Sequence, residues 1–291
     1  NSSNHIQTCK TRVSDSVKSC LVYDARPFDT DLRKCISGTS PVVKALVLGD
    51  SHSTFHLPFV ARMLQEASAN TSVLHSSFAG CPLNGHNPRF RLCSSNSQAP
   101  FCVKGNRYCL DWGKQMQVLI NKSAFRIGHY LFSPSIIFIA QRWSLYNDTK
   151  SLDALERFLL HLPKSILVVI FGEIPDSSEG ISRCPCFVNR SSFSMVARTC
   201  MESKKAKVFI AKNEWLALFS RKHSPKTFFM DLGQFLCPQG ECSPYTRDGR
   251  RRYVNADHLF DQEGEELALE VISDWGVPSD FKYFSKYLQR T

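Results

Sequence analysis

The tetrapeptide Gly49-Asp50-Ser51-His52 lies between two contrasting segments. Before it runs Val42-Val43-Lys44-Ala45-Leu46-Val47-Leu48, apolar and β-branched. After it, Phe55, Phe59, Met63, Leu64 and Ala67 recur at helical spacing. A serine at such a strand-to-helix turn is placed for nucleophilic attack, because the backbone N–H groups and dipole of the helix start can hold an oxyanion. Gly49 permits the tight turn. The same serine also reads as a helix N-cap, its more frequent use. A base separates the two readings, since a serine nucleophile needs one to take its proton and the base needs an orienting partner. Far downstream, Tyr253-Val254-Asn255-Ala256-Asp257-His258-Leu259 precedes another helical stretch. His258 has the chemistry of a base, and Asn255 or Asp257 could hold its ring.

The elements that must bring Ser51 and His258 together are legible in outline. Predicted strands are Val42–Leu48, Ser72–Ser77, Ser135–Ala140 (after Pro134), Ser165–Phe171 and Thr227–Asp231. Predicted helices cover 54–68, 110–120, 152–162, 208–219 and 262–275, with irregular Cys-rich stretches at 81–109 and 176–200. Strands alternating with helices imply a parallel sheet covered on both faces. The expected fold is α/β, a flavodoxin-like three-layer sandwich with a central parallel sheet and disulfide-stapled loop insertions. Sites in such folds lie beyond the carboxyl ends of the strands, where Ser51 falls. Residues 1–40 read as a disulfide-pinned N-terminal extension and 41–291 as the domain proper.

Twelve cysteines spread along 291 residues favour disulfides and an oxidising compartment over zinc. The only close pair, Cys184-Pro-Cys186, lacks the second pair that structural zinc sites use, so no metal or other cofactor is expected. Sequons at Asn1, Asn70, Asn121, Asn147 and Asn189 point to a glycoprotein of the secretory pathway. No apolar run approaches the roughly 20 residues of a membrane span, and no signal peptide opens the chain. The expectation is an extracellular or lumenal piece of a longer membrane protein. The net charge of +10 reads as a basic surface. Its densest run, Arg247, Arg250, Arg251 and Arg252, reads as a solvated loop, with no nucleic-acid motif beside it.

Gly-Asp-Ser near the start, with a late histidine, resembles the SGNH/GDSL hydrolases, and more closely the SGNH domain attached to multi-pass membrane O-acyltransferases. The matching blocks are Leu48-Gly49-Asp50-Ser51-His52, Ala79-Gly80-Cys81-Pro82, Ile139-Ala140-Gln141-Arg142-Trp143, Gly172-Glu173-Ile174-Pro175, and Asp257-His258-Leu259 with Gly264 beyond. The resemblance spans roughly 35 to 270. It implies Ser51 as nucleophile and His258 as base, with the backbone N–H of Ser51 and of Gly80 as oxyanion donors. The usual Gly-x-Asn-Asp block is absent. Gln141-Arg142-Trp143 stands there, with Gln141 or Arg142 as a third donor; by its place at a strand end, Arg142 beside Trp143 reads equally as a grip on an anionic or sugar substrate or as packing with a satisfied guanidinium. Where the family has Asp three residues before the histidine, this chain has Asn255.

The implied function is O-acyl transfer to, or ester hydrolysis on, a glycan through an acyl-Ser51 intermediate, with a linked membrane acyltransferase domain as partner. The competing expectation is a catalytically weak or inactive module of the same fold that binds glycan or a partner protein. Of the remaining polar residues, His52 and His56 are expected beside the site rather than on a metal. His75 reads as a strand histidine, and Glu173 and Asp176 as loop solvation.

Overall fold

The structure is a computed structural model describing residues 21–22, 32–67, 69–78, 81, 83, 100–122, 124–145, 149–176, 184, 195, 204–240, 242–253, 258–260 and 263–290. Among these, eight strands form one sheet: β1 Leu21–Val22, β2 Ile36–Ser37, β3 Val42–Gly49, β4 Ser72–Phe78, β5 Phe125–Ile127, β6 Tyr130–Ala140, β7 Leu167–Phe171 and β8 Thr227–Met230. The helices are α1 Ser53–Glu66, α2 Pro100–Asn121, α3 Thr149–Leu160, α4 Lys204–Lys222, α5 Gly233–Leu236, α6 Glu263–Trp275 and α7 Ser279–Arg290.

The sheet order is β1-β4-β3-β6-β7-β8, parallel throughout. Only β2, against β4, and β5, against β6, are antiparallel among the described strands. The five main strands therefore follow the flavodoxin-like order, with the topological switch between β3 and β6.

Burial on both faces explains the unbroken apolar runs. Ala45, Val47, Phe138, Val169 and Phe171 face a layer built from α1, α6 and α7, which supply Phe59, Leu267, Val271, Phe281 and Phe284. Leu46, Leu48, Ile137, Ile139, Val168 and Ile170 face the opposite layer, where Trp112, Met116, Phe158, Leu159 and Leu216 come from α2, α3 and α4. The expected three-layer α/β sandwich is the one observed.

Several boundaries differ from the sequence reading. Residues 100–109, expected as loop, belong to α2; Pro100 fits the first helical turn, whose N–H groups have no intrahelical acceptor. The strand expected to start after Pro134 begins at Tyr130. Against β3 its register jumps between Val43↔Phe132 and Ala45↔Ile136. Pro134 sits in that bulge, where its missing N–H costs no ladder bond. Helix α7 is absent from the sequence expectation, although its Phe281, Phe284 and Leu288 are buried at helical spacing. β1 and β2, within the predicted extension, both pair with β4.

Gly49 is needed for a different reason than a turn. It is not among the glycines with positive φ. A Cβ built on it would lie 1.6 Å from the carbonyl oxygen of Ala140 and 2.9 Å from Ser53 Cβ. Its bare Cα lets the carboxyl ends of β3 and β6 close on each other. Because the clashing atom is backbone, Gly49→Ala is expected to cost at least the ~3 kcal/mol at the upper end of ordinary overpacking. A urea titration of both proteins reads this directly, and a loss below ~1 kcal/mol would contradict the packing argument.

Candidate active site

The carboxyl ends of β3 and β6 are adjacent in register, Gly49 opposite Ala140. The residues that follow each strand are thus neighbours at the switch point. Asp50, 2% exposed, joins them: its Oδ1 accepts the N–H of His52 at 2.9 Å and its Oδ2 accepts the N–H of Arg142 at 3.0 Å. The turn is tied down further by its carbonyls. That of Asp50 accepts from both the N–H and the hydroxyl of Ser53, at 3.0 and 2.8 Å. That of Ser51 accepts from Thr54 Oγ1 at 2.8 Å, and that of His52 from His56 Nδ1 at 2.9 Å.

Ser51 does not cap the helix. His52 occupies the N-cap position with no side-chain cap. The Ser51 hydroxyl instead meets His258, Oγ to Nε2 at 2.9 Å, across the chain. Both residues are half-buried.

His258 is delivered by a pinned loop. Tyr253 and Leu259 pair as an antiparallel bridge, and Tyr245 pairs with Arg251 in the same way. The N–H of Phe260 donates to the Arg252 carbonyl at 2.9 Å, and the Tyr253 hydroxyl donates to the Pro175 carbonyl at 3.0 Å. Burial pushes the Tyr253 phenol well above the usual tyrosine range, so it stays a donor. Beyond the loop, α6 lies directly on α1. A Cβ at Gly264 would come within 2.0 Å of the Phe55 carbonyl oxygen. The helix that starts at the serine and the helix that follows the histidine therefore set each other's distance.

The remaining candidate residues divide. Arg142 stands at the site, its backbone held by Asp50 and its Nη2 3.7 Å from Asp176. Gln141 is buried, and its Oε1 accepts the N–H of Leu83 at 3.2 Å. At Trp143 the structure shows packing. It is buried in the core, edge-on to Trp215, and its indole N–H donates to the Phe171 carbonyl at 2.7 Å. Gly80, Asn255 and Asp257 lie outside the described residues. Glu173, expected as loop solvation, is buried and accepts from the backbone N–H and hydroxyl of Ser144, fixing the strand β6 exit. Asp50 as the link between the two strand ends escapes the sequence reading, and only its place in the tetrapeptide hints at it.

The Arg run is also not the solvated loop expected. Arg251 and Arg252 are buried. Arg252 donates to the Tyr245 carbonyl and to Glu270, and Arg251 donates to the Cys184 carbonyl. Arg247 pairs with Asp274, and Arg250 with Asp248 and Glu266. Its role is to hold the loop that bears His258. Glu263, fully buried at the start of α6, lies 3.6 Å from Arg252 Nη1, with neither carboxyl oxygen hydrogen-bonded. Burial raises its pKa to about 7, against the opposing pull of Arg252 and Arg250.

Behind the serine lie two further buried histidines. His56 packs against Phe171 and Phe55. His75, on β4, has its Nε2 2.9 Å from Ser53 Oγ. That hydroxyl donates to the Asp50 carbonyl, so it accepts from His75. Burial lowers the pKa of His56 to about 4, despite the bond to His52. Burial, with the proximity of His56 as a lesser cause, lowers that of His75 to about 3. Both are therefore neutral packing and hydrogen-bonding groups.

A parallel α/β sheet carrying a serine–histidine pair at its switch point defines a class, and comparison with known proteins names the family. The family model described as "SGNH domain (fused to AT3 domains)" matches residues 19–262, and the chain belongs to that family. No curated protein matches it. Among solved structures, the periplasmic domain of a Salmonella ser. Paratyphi A lipopolysaccharide acetyltransferase aligns with a TM-score of 0.48 at 10% identity, covering 90% of this chain and 97% of that one. The C-terminal catalytic domain of Streptococcus pneumoniae peptidoglycan O-acetyltransferase A, carrying a methylsulfonyl adduct, aligns with a TM-score of 0.35 at 12% identity, covering 81% and 92%. Neither score reaches 0.5, so neither structure bears on the site.

Proposed function

We propose that this chain is a serine acyl-ester enzyme that moves an O-acyl group onto a glycan hydroxyl through an acyl-Ser51 intermediate. The observation that carries the reading is the 2.9 Å approach of Ser51 Oγ to His258 Nε2 at the carboxyl ends of β3 and β6. In the first half-reaction His258 Nε2 takes the hydroxyl proton as Ser51 Oγ bonds to the ester carbonyl carbon. The ester C–O bond then breaks and the leaving oxygen takes the proton from His258. In the second, His258 takes the proton of the acceptor hydroxyl as its oxygen bonds to the acyl carbon; the acyl–Oγ bond then breaks and His258 returns that proton to Ser51 Oγ. The backbone N–H groups of Ser51 and Gly80, with Gln141 or Arg142, are the oxyanion donors in this reading. Gln141 is the weaker candidate, since its amide oxygen is already engaged by Leu83. Asn255 is the residue assigned to orient His258.

The family's fusion to AT3 domains supports a membrane acyltransferase domain as the linked source of acyl groups. An extracellular or lumenal ectodomain is the matching location. The Cys237–Cys242 disulfide and the absence of free cysteines among the described residues support it. Among the described residues no helix is long and apolar enough to cross a membrane. We also assign residues 41–291 to one catalytic domain, with 1–40 as its extension.

Asn255 favours a second reading. A neutral amide orients an imidazole but does not stabilise imidazolium as a carboxylate does, and Asp-to-Asn at the equivalent role in another serine hydrolase costs about 10⁴ in turnover. On that reading the chain is a binding module. Pre-steady-state hydrolysis of 4-nitrophenyl acetate separates the two. An enzyme gives a nitrophenolate burst stoichiometric with protein, and added glycan diverts the acyl group from acetate to an O-acylated sugar. A binding module gives no burst.

A further inference from the structure

We propose that His52 is a positioning residue: its imidazole, packed against the ring of His258, holds that ring at the angle from which Nε2 meets Ser51. The inference rests on the reading of Ser51 and His258 given under the proposed function, and it adds a residue to that pair. The two ring centroids are 4.5 Å apart with the planes inclined by 36°, a tilted ring contact.

The two rings are unequally anchored. His52 is 6% exposed and fixed through its own backbone. Its N–H donates to Asp50 Oδ1, and its carbonyl accepts from His56 Nδ1, each at 2.9 Å. His56 is in turn clamped between Phe55 and Phe171. From the sheet core to the backbone of His52 there is thus a continuous chain of buried contacts, and burial encloses its side chain. His258, by contrast, is half-buried on the loop closed by the Tyr253–Leu259 bridge, one residue before the bridge partner. The bridge acts on the backbone beside His258, whereas the angle of its ring is a matter of contacts to the ring itself. The ring of His52, 4.5 Å away between centroids, supplies such a contact. A displacement of about 1 Å at a reacting atom is enough to cost on the order of 10²-fold in rate.

The test compares wild type, His52→Ala and His52→Phe as intact oxidised proteins. The readouts are the rate of fluorophosphonate adduct formation on Ser51, kcat and KM for 4-nitrophenyl acetate, and the melting temperature. The expected result is a fall in kcat and labelling rate of about tenfold or more for His52→Ala with KM unchanged. His52→Phe, which keeps a flat ring in the same space, is expected to stay within about threefold of wild type. Labelling of His52→Ala at the wild-type rate overturns the proposal. So does a folded His52→Phe as slow as a His258 variant, which also decides the question if the alanine protein does not fold. If wild type itself forms no adduct, the reading of Ser51 and His258 fails, and the proposal fails with it. Adduct on wild type with His52 variants unaffected removes His52 alone.

Discussion

Replacing His258 by alanine is expected to lower turnover of an activated acyl ester by about 10³-fold or more, with the fold intact. Without a base, Ser51 Oγ attacks as a neutral hydroxyl, and only the oxyanion donors and substrate binding still act. Because Ser51 and His258 work as a unit, the double variant Ser51→Ala/His258→Ala should be no slower than Ser51→Ala alone. Stability should change little. His258 is half-buried and does not form part of either apolar layer, whereas the neighbours that hold its loop, Tyr253, Leu259 and Phe260, are buried. Steady-state kinetics and thermal melts of the three variants check this. A His258→Ala protein that melts as wild type and turns over at its rate would remove the histidine from the mechanism.

The second large effect is acid lability, and its shape follows from three buried groups with opposing signs. His56 and His75 have folded pKa values lowered to about 4 and about 3, chiefly by burial. The unfolded chain takes up protons on both below pH ~6.5, while the folded chain does not until far lower, so the stability they contribute is complete above ~6.5 and lost as pH falls. By pH 4 each costs roughly 3 kcal/mol. Glu263 runs the other way. Its folded pKa of about 7 lies above its unfolded value, so its contribution is present at low pH and lost as pH rises through 7. Between pH 7 and roughly 4.5 the regain from Glu263 offsets part of the histidine loss and the profile is shallow. Below roughly 4.5 Glu263 is protonated in both states, the histidines act unopposed, and stability collapses.

Urea midpoints from pH 8 to 3.5 should show that two-stage profile. The double variant His56→Asn/His75→Gln keeps a donor near each observed hydrogen bond and removes both titrations, so its acid limb should flatten. An acid limb unchanged in the double variant would contradict the assignment.

The frame of the site is legible in the sequence, but its fastenings are not. The unalternated run Val42–Leu48 announces a strand buried on both faces, and the helical spacing from Phe55 onward places Ser51 at a strand-to-helix turn. These signals are local, and the structure reproduces them. The alternation of strands and helices likewise implies the parallel sheet whose carboxyl ends hold the site. The fastenings are contacts between segments distant in sequence. Asp50 bonding Arg142, Tyr253 bonding Pro175, and Gly264 against the Phe55 carbonyl leave no periodicity to read. The Arg247–Arg252 run misleads because charge density signals solvent exposure on average. Here Glu263, Glu266, Glu270 and Asp274 on α6 meet it from one helix. The place of Trp143 after a strand end leaves substrate contact and packing open, and the bond from its indole N–H to a backbone carbonyl inside the core has no local signal.

The central claim, that Ser51 is an activated nucleophile, is tested most directly by reacting the oxidised protein with a fluorophosphonate and locating the adduct by mass spectrometry. Ser51→Ala and Asn255→Asp are treated in parallel. The account predicts one adduct, on the peptide containing Ser51, absent from Ser51→Ala and formed faster in Asn255→Asp. An unlabelled wild type, with an adduct appearing only in Asn255→Asp, would contradict it and leave a binding module built on a hydrolase fold.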